Sequence, residues 1–145
     1  MSPMMDWKKE QSGDFIHYPA GTYYVRIVSW ERLKAGTGTE QIRWRAEIIA
    51  PEEHKGRSIL DHTALTETAL WRVAKAVAAC GVKTEGKVDT SGAAFEAVLN
   101  ACKERRVYWH VTEEMYNGKI RNKIVDYQPD TEQEVIGPTP EDIEW

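Results

Sequence analysis

The chain has 145 residues, enough for one domain and a tail but not for two full cores. At 41% hydrophobic and 29% charged it reads as a soluble globular protein, with no run near the ~18 apolar residues of a membrane span and no apolar signal core before Asp14. Its formal charge of −4 averages over two unlike parts, and its two cysteines are too few for a disulfide scaffold or a zinc site, which points to a reducing, cytoplasmic setting.

Residues 1–17 are mixed and polar, with Trp7, Lys8 and Lys9, and read as a lead-in. The turn Tyr18-Pro19-Ala20-Gly21 opens a first strand over 22–32. There Tyr23, Val25 and Ile27 alternate with Tyr24, Arg26, Val28 and Trp30. A glycine-containing loop leads to the clearest strand, in which Ile42, Trp44, Ala46 and Ile48 alternate with Arg43, Arg45 and Glu47. After Lys55-Gly56 a third strand is expected over 57–63. Thr66 stands where a helix N-cap belongs, Leu70, Val73, Ala74, Val77 and Ala78 recur at helical spacing, and Gly81 supplies the stop. A shorter helix over 91–102 would bury Phe95, Val98, Leu99 and Cys102. A fourth strand over 105–114 places Val107, Trp109 and Val111 opposite Tyr108, His110 and Thr112. Asn117-Gly118 then predicts a tight hairpin turn, because both residues tolerate positive φ, and a fifth strand follows over 119–127.

Three strands, a helical insertion and a two-strand hairpin predict a mainly β fold. The pattern fits a five-stranded OB-fold barrel over 18–127, with its helices between strands three and four. Nothing in the sequence suggests catalysis. The histidines His17, His54, His62 and His110 are scattered, and none has a second ligand at metal-binding spacing. Asp61 and His62 are adjacent on a strand and so point to opposite faces, which reads as a solvated aspartate beside a surface histidine. Gly36-Thr37-Gly38 lacks the Gly-Lys-Ser/Thr of a phosphate loop, and no nucleophile sits in an elbow motif. No catalytic residue, metal or cofactor is expected.

The polar phases of the strands carry a different signal. Sequence-independent binding of single-stranded nucleic acid needs cations along the phosphates and aromatic faces for unstacked bases. The expected solvent face offers Tyr24, Arg26 and Trp30, then Arg43, Arg45 and Arg57, then Tyr108, His110, Arg121 and Lys123. The two loops that OB-folds use add Arg32 and Lys34 in one case and Tyr116 and Lys119 in the other. Trp44, Trp109 and Tyr23 share the apolar phase and belong to the core. Residues 128–145 lack hydrophobic period, hold Gly137, Pro138 and Pro140, and read as a disordered acidic tail. From Asp126 onward there are seven acids and no Lys or Arg. That leaves sixteen acids against nineteen bases before it, or +3 against −7. The tip Glu141-Asp142-Ile143-Glu144-Trp145 ends in an indole with no core to enter, a candidate anchor for a partner's pocket with a basic rim.

Four stretches carry a family likeness: Gly21-Thr22-Tyr23-Tyr24-Val25, Lys55-Gly56-Arg57, Tyr116-Asn117-Gly118-Lys119 followed by Asn122 and Ile124, and the acidic tip ending in Trp145. With these the chain resembles phage and prophage single-stranded DNA-binding proteins, although such tips more often end in Phe. The resemblance implies an OB-fold that coats exposed DNA during replication and recombination in a bacterial host. It also implies a tail that competes with DNA for the groove and recruits replication or recombination proteins. Exchange of tails between subunits would give a homo-oligomer a route to cooperativity. An RNA-binding OB module and a non-enzymatic adaptor are the competing readings of the same residues.

Overall fold

The computed structural model describes residues 17–34 and 36–137. Five strands form where alternation predicted them: β1 (Gly21–Lys34), β2 (Glu40–Ala50), β3 (Ser58–Ala64), β4 (Arg106–Tyr116) and β5 (Lys119–Pro129). Helices α1 (Leu70–Ala79) and α2 (Ala93–Ala101) lie between β3 and β4. All pairings are antiparallel, in one sheet of order β3-β2-β1-β4-β5. The apolar phases point inward, so Tyr23, Val25, Ile27, Ile42, Trp44, Ala46, Ile48, Ile59, Val107, Trp109, Val111, Ile124 and Tyr127 are buried in one core. At Asn117 (φ +49°) and Gly118 (φ +75°) the hairpin takes the left-handed turn that its residues favour.

The expected closed barrel is not formed, because no ladder joins β3 to β5 among the described residues. In a flat sheet those edges would stand about 19 Å apart, four strand spacings. Yet the Tyr127 hydroxyl on β5 donates to Asp61 on β3, so the sheet is rolled until its edges nearly meet. Bulges at Val28 in β1 and at Val125 in β5 add the local twist that such rolling needs. Side chains occupy the gap in place of a ladder. At one end the Tyr18 N–H donates to Asn122 Oδ1 (2.7 Å), the Asn122 amide donates back to the Tyr18 carbonyl (2.6 Å), and the Tyr18 hydroxyl donates to the Ser58 carbonyl (2.8 Å). At the other end Arg72 of α1 donates to the Ile124 carbonyl (2.6 Å) and to the Tyr127 hydroxyl (3.2 Å). The Ser58 and Ile124 carbonyls of the two edges thus find partners without strand pairing.

Two local expectations are corrected. Thr66 is not the cap of α1: its carbonyl accepts from Ala69 and Leu70 (2.9 and 3.0 Å) in a lead-in turn, and the helix starts at Leu70. The shorter helix begins at Ala93, with Asp89 taking the Ser91 N–H and hydroxyl just before it. Gly81 ends α1 as expected, at φ +75°, and an added Cβ would lie 2.8 Å from Arg105 Nη2. Gly81→Ala should therefore cost about 1–2 kcal/mol of stability, readable as a lower urea midpoint with unchanged slope.

The segment read as a disordered tail from 128 onward is folded as far as 137. β5 runs to Pro129, and Asp130 is buried, its carboxylate accepting from the Tyr24 hydroxyl. The Gln133 side chain takes both the N–H and the carbonyl of Arg106 (2.8 Å each), imitating a strand partner where β5 has ended. Arg105 donates to the Glu134 carbonyl, and Ile136 bridges to Val82 and packs against the core. This strap is held by side-chain bonds to the main chain, which hydrophobic period does not register. Residues 138–145, with the anchor candidates Glu141, Asp142, Ile143, Glu144 and Trp145, lie outside the described residues. The strap also redraws the charge division, because residues 17–137 contain seventeen Lys and Arg and seventeen Asp and Glu.

Candidate nucleic-acid interface

Cross-strand partners share a face, so the register builds the outward surface row by row. One row runs Glu31–Arg43–His62 across β1, β2 and β3, and the next runs Ser29–Arg45–Leu60. Arg43 pairs with Glu31, and Arg26 pairs with Glu104 and, at 3.3 Å, with Glu47. Arg45 is exposed and has no carboxylate within ion-pair reach among the described residues; the same holds for Lys34, Arg57 and Lys119. On β5, Arg121 and Lys123 flank Glu114 of β4 at 2.6 and 3.8 Å.

His62 reports how these cations are arranged. Its imidazole is held below the ordinary histidine range by partial burial, then by Arg43 and Arg121. Arg43 belongs to β2 and Arg121 to β5, so the influence comes from both sides of the seam between β3 and β5. The rolled sheet therefore gathers cations from β2 and β5 around a histidine that is neutral at pH 7. Carboxylates temper the cluster, since Arg43 holds Glu31 while Arg121 and Lys123 share Glu114, and the surplus left by Arg45 and by β5 is what raises the local density of anions.

Several candidate residues serve the fold instead. The bulge at Val28 shifts the phase of β1, so Trp30 pairs with Trp44, packs against the core and donates its indole N–H to Asn100 Oδ1 at 2.9 Å. Trp30 is therefore not the exposed stacking residue that alternation predicts. The same shift makes Arg32 half-buried, with its guanidinium over the Phe95 ring (5.7 Å) and donating to the Thr90 carbonyl, which staples the entry of α2 to β1. Tyr24 and Tyr108 stack on one another, centroids 4.7 Å apart, and both are half-buried. Burial and the bond to Asp130 push the Tyr24 hydroxyl up to about 12. His110 Nδ1 is bonded to the Thr22 hydroxyl (2.9 Å), and its ring stands opposite Asp126. Arg57 precedes β3 on the inward phase of Ile59 and acts on Tyr18, at the other end of the sheet from Lys34. Tyr116 closes β4 opposite Lys119.

Sequence reasoning also missed residues. Asp61 is not solvated but buried, and its carboxyl is pushed up to about 6 by that burial, against the opposing pull of Tyr127 and Arg72. Arg72, Asn122 and Gln133 carry no periodic signal, since each acts by bonding to main chain or to a distant side chain. Trp71 could have been found: it falls off the apolar arc of α1 and is 59% exposed.

Residues 5–138 match the family model described as "Protein of unknown function (DUF669)". The chain belongs to that family. No curated protein matches it. The DUF669 match runs through the strap, which is consistent with 130–137 being part of the domain and not an appendage. Among the described residues no cluster of three or more His, Cys, Asp or Glu could hold a metal ion, and no helix is long and apolar enough to cross a membrane.

Proposed function

We propose that this DUF669 protein binds single-stranded DNA, largely independently of sequence, on the outward surface of β2 and β3 and across the seam to β5. The observation that carries the reading is Arg43 standing beside His62 as its cross-strand partner on the outward phase of β2 and β3, with Arg121 of β5 acting on the same imidazole. Arg45 adds an exposed cation one row away. The strand order supports an OB-type topology left open between β3 and β5, a barrel class whose strand two–three face commonly holds oligonucleotides. With charges balanced over 17–137, binding would rest on this local concentration, so it would be weakened steeply by salt. Coating of exposed DNA, and recruitment of replication or recombination proteins through the acidic residues after 137, complete the reading.

The test is a titration of labelled oligo-dT and of a matched duplex into the full chain at low and moderate salt. A salt-sensitive preference for the single strand is expected; equal or absent binding of both would reject the reading. Competition by the tail is tested by removing residues 138–145, not by cutting at 129, which would strip the strap from the core. That shorter deletion should tighten single-strand binding about threefold at low salt, through loss of three acids and Trp145. Unchanged affinity would leave the tail with no competitive role.

A further inference from the structure

The interface described above holds cations, and the aromatic candidates whose side chains the structure describes, Trp30, Tyr24 and Tyr108, are engaged in the fold. Helix α1 supplies the missing element. Its Arg72 enters the seam, bonding the Ile124 carbonyl on β5 and standing 3.6 Å from Asp61 on β3. One turn along, Lys75 pairs with Asp126, whose strand partner His110 belongs to the outward phase of β4. Residues four apart share a helix face, so Trp71 stands on the Lys75 side of α1, the side turned toward the outer surface of β5. That face also holds Ala74 and Ala78, which are small and exposed, so Trp71 projects without a covering neighbour on its own helix. On the two strands that flank the seam, Leu60 (40% exposed), Ile120 (52%) and Val125 (45%) are the exposed large apolar side chains.

We propose that Trp71 is the base-stacking residue of this protein, and that a nucleobase of the bound single strand lies against its indole at the rim of the β3–β5 seam. The assignment rests on the nucleic-acid reading and deepens it. Arg43, Arg45 and Arg121 draw the phosphates to the outer surface, and the unstacked bases need an apolar plane beside that path. The indole provides one without burying any polar group. Base-on-aromatic stacking tolerates every base, which suits binding that ignores sequence.

The experiment compares the full chain with Trp71→Ala and Trp71→Phe, titrating oligo-dT at several salt concentrations and recording a thermal melt of each. Trp71→Ala should bind about tenfold more weakly, with the slope of log affinity against log salt unchanged, because stacking releases no counterions. Trp71→Phe should recover most of the loss, and the melting temperatures should agree, since the side chain is exposed in the fold. Affinity of Trp71→Ala within twofold of the parent, or a loss accompanied by a shallower salt slope, overturns the assignment while leaving the nucleic-acid reading intact. A parent chain that binds no oligonucleotide at any salt overturns both.

Discussion

Arg72→Leu should destabilise the fold by about 3 kcal/mol at pH 7.5, and by much less near pH 4.5. Removing the guanidinium leaves Asp61 buried with only the Tyr127 hydroxyl and the His62 main-chain N–H to solvate its charge, and breaking a buried pair costs about 3–5 kcal/mol. The lower end applies because Arg72 is itself partly exposed. The pH dependence follows from the direction of the Asp61 shift. Its carboxyl is raised from 3.8 to about 6 in the fold, so between those values the native state holds a proton that the unfolded chain has lost. Stability contributed by this site is therefore greatest below pH 4 and falls as pH rises through 6, by about 3 kcal/mol in the parent. Without Arg72 the carboxyl is pushed higher still, and the fall extends further into the neutral range. Asp126 and Asp130 are shifted the other way, by their bonds to Lys75 and to Tyr24, so their contributions are lost only as pH falls below the ordinary carboxylate range. The two windows are separate. Urea midpoints at pH 4.5 and 7.5 for the parent, Arg72→Leu and Asp61→Asn decide the matter. Asp61→Asn should flatten the profile between pH 4 and 6, and an equal deficit of Arg72→Leu at both pH values would locate its role in packing alone.

Replacing Arg43 and Arg45 together with alanine should weaken single-strand binding by roughly one to two orders of magnitude at low salt. Each guanidinium makes charge-assisted bonds worth about 1.5 kcal/mol or more when a phosphate replaces water. The sharper signature is the salt slope, which should become shallower by about 1.4 if two phosphate contacts are lost. The two residues should not contribute equally. Arg43 must first give up Glu31, whereas Arg45 has no carboxylate to release. Glu31→Gln is accordingly expected to tighten binding, and Arg45→Ala alone to cost more than Arg43→Ala alone. Affinity measured by anisotropy across a fivefold range of salt separates these outcomes, and an unaltered slope in the double variant would move the phosphate path off β2.

Strand order, hairpin turn and core were legible because period-two alternation is a direct image of the pleat: Ile42, Trp44, Ala46 and Ile48 are all buried as written. The same rule failed at Trp30, where one extra residue at Val28 reversed every later phase of β1. A bulge has no compositional mark here, so alternation puts Trp30 on the wrong face, and Arg32, expected in the loop, lies on the inward phase of a longer strand. Asp61 was misread for a different reason. Its surroundings come from residues 66 positions away on β5 and from α1, and a strand read alone does not contain them. The strap escaped because Gln133 and Asp130 stabilise it through bonds, and the one apolar side chain it packs on the core, Ile136, makes no period. Of the candidate site, the cations on β2 and β5 were readable as polar phases. Their meeting around His62 depends on how far the sheet rolls, and that is a tertiary quantity.

Filling the gap between β3 and β5 with side chains also sets an order of events. Three of the four ladders join strands next to one another in the chain, as Arg43 to His62 or Tyr116 to Lys119, whereas β1 meets β4 through pairs as distant as Gly21 and Val111, and the link from Tyr18 to Asn122 spans 104 positions. Contacts of such separation carry the largest loop-closure cost, so the β1–β2, β2–β3 and β4–β5 pairings can be complete before β1 meets β4 and the gap is spanned. In the native state the same logic runs in reverse. A few independent side-chain bonds can let go singly while every main-chain ladder stays intact, so the girth of the roll can breathe at a fraction of the cost of unfolding. In hydrogen exchange, the main-chain amide of Tyr18 should therefore exchange well before those at the centre of β1, which marks the line along which this domain yields.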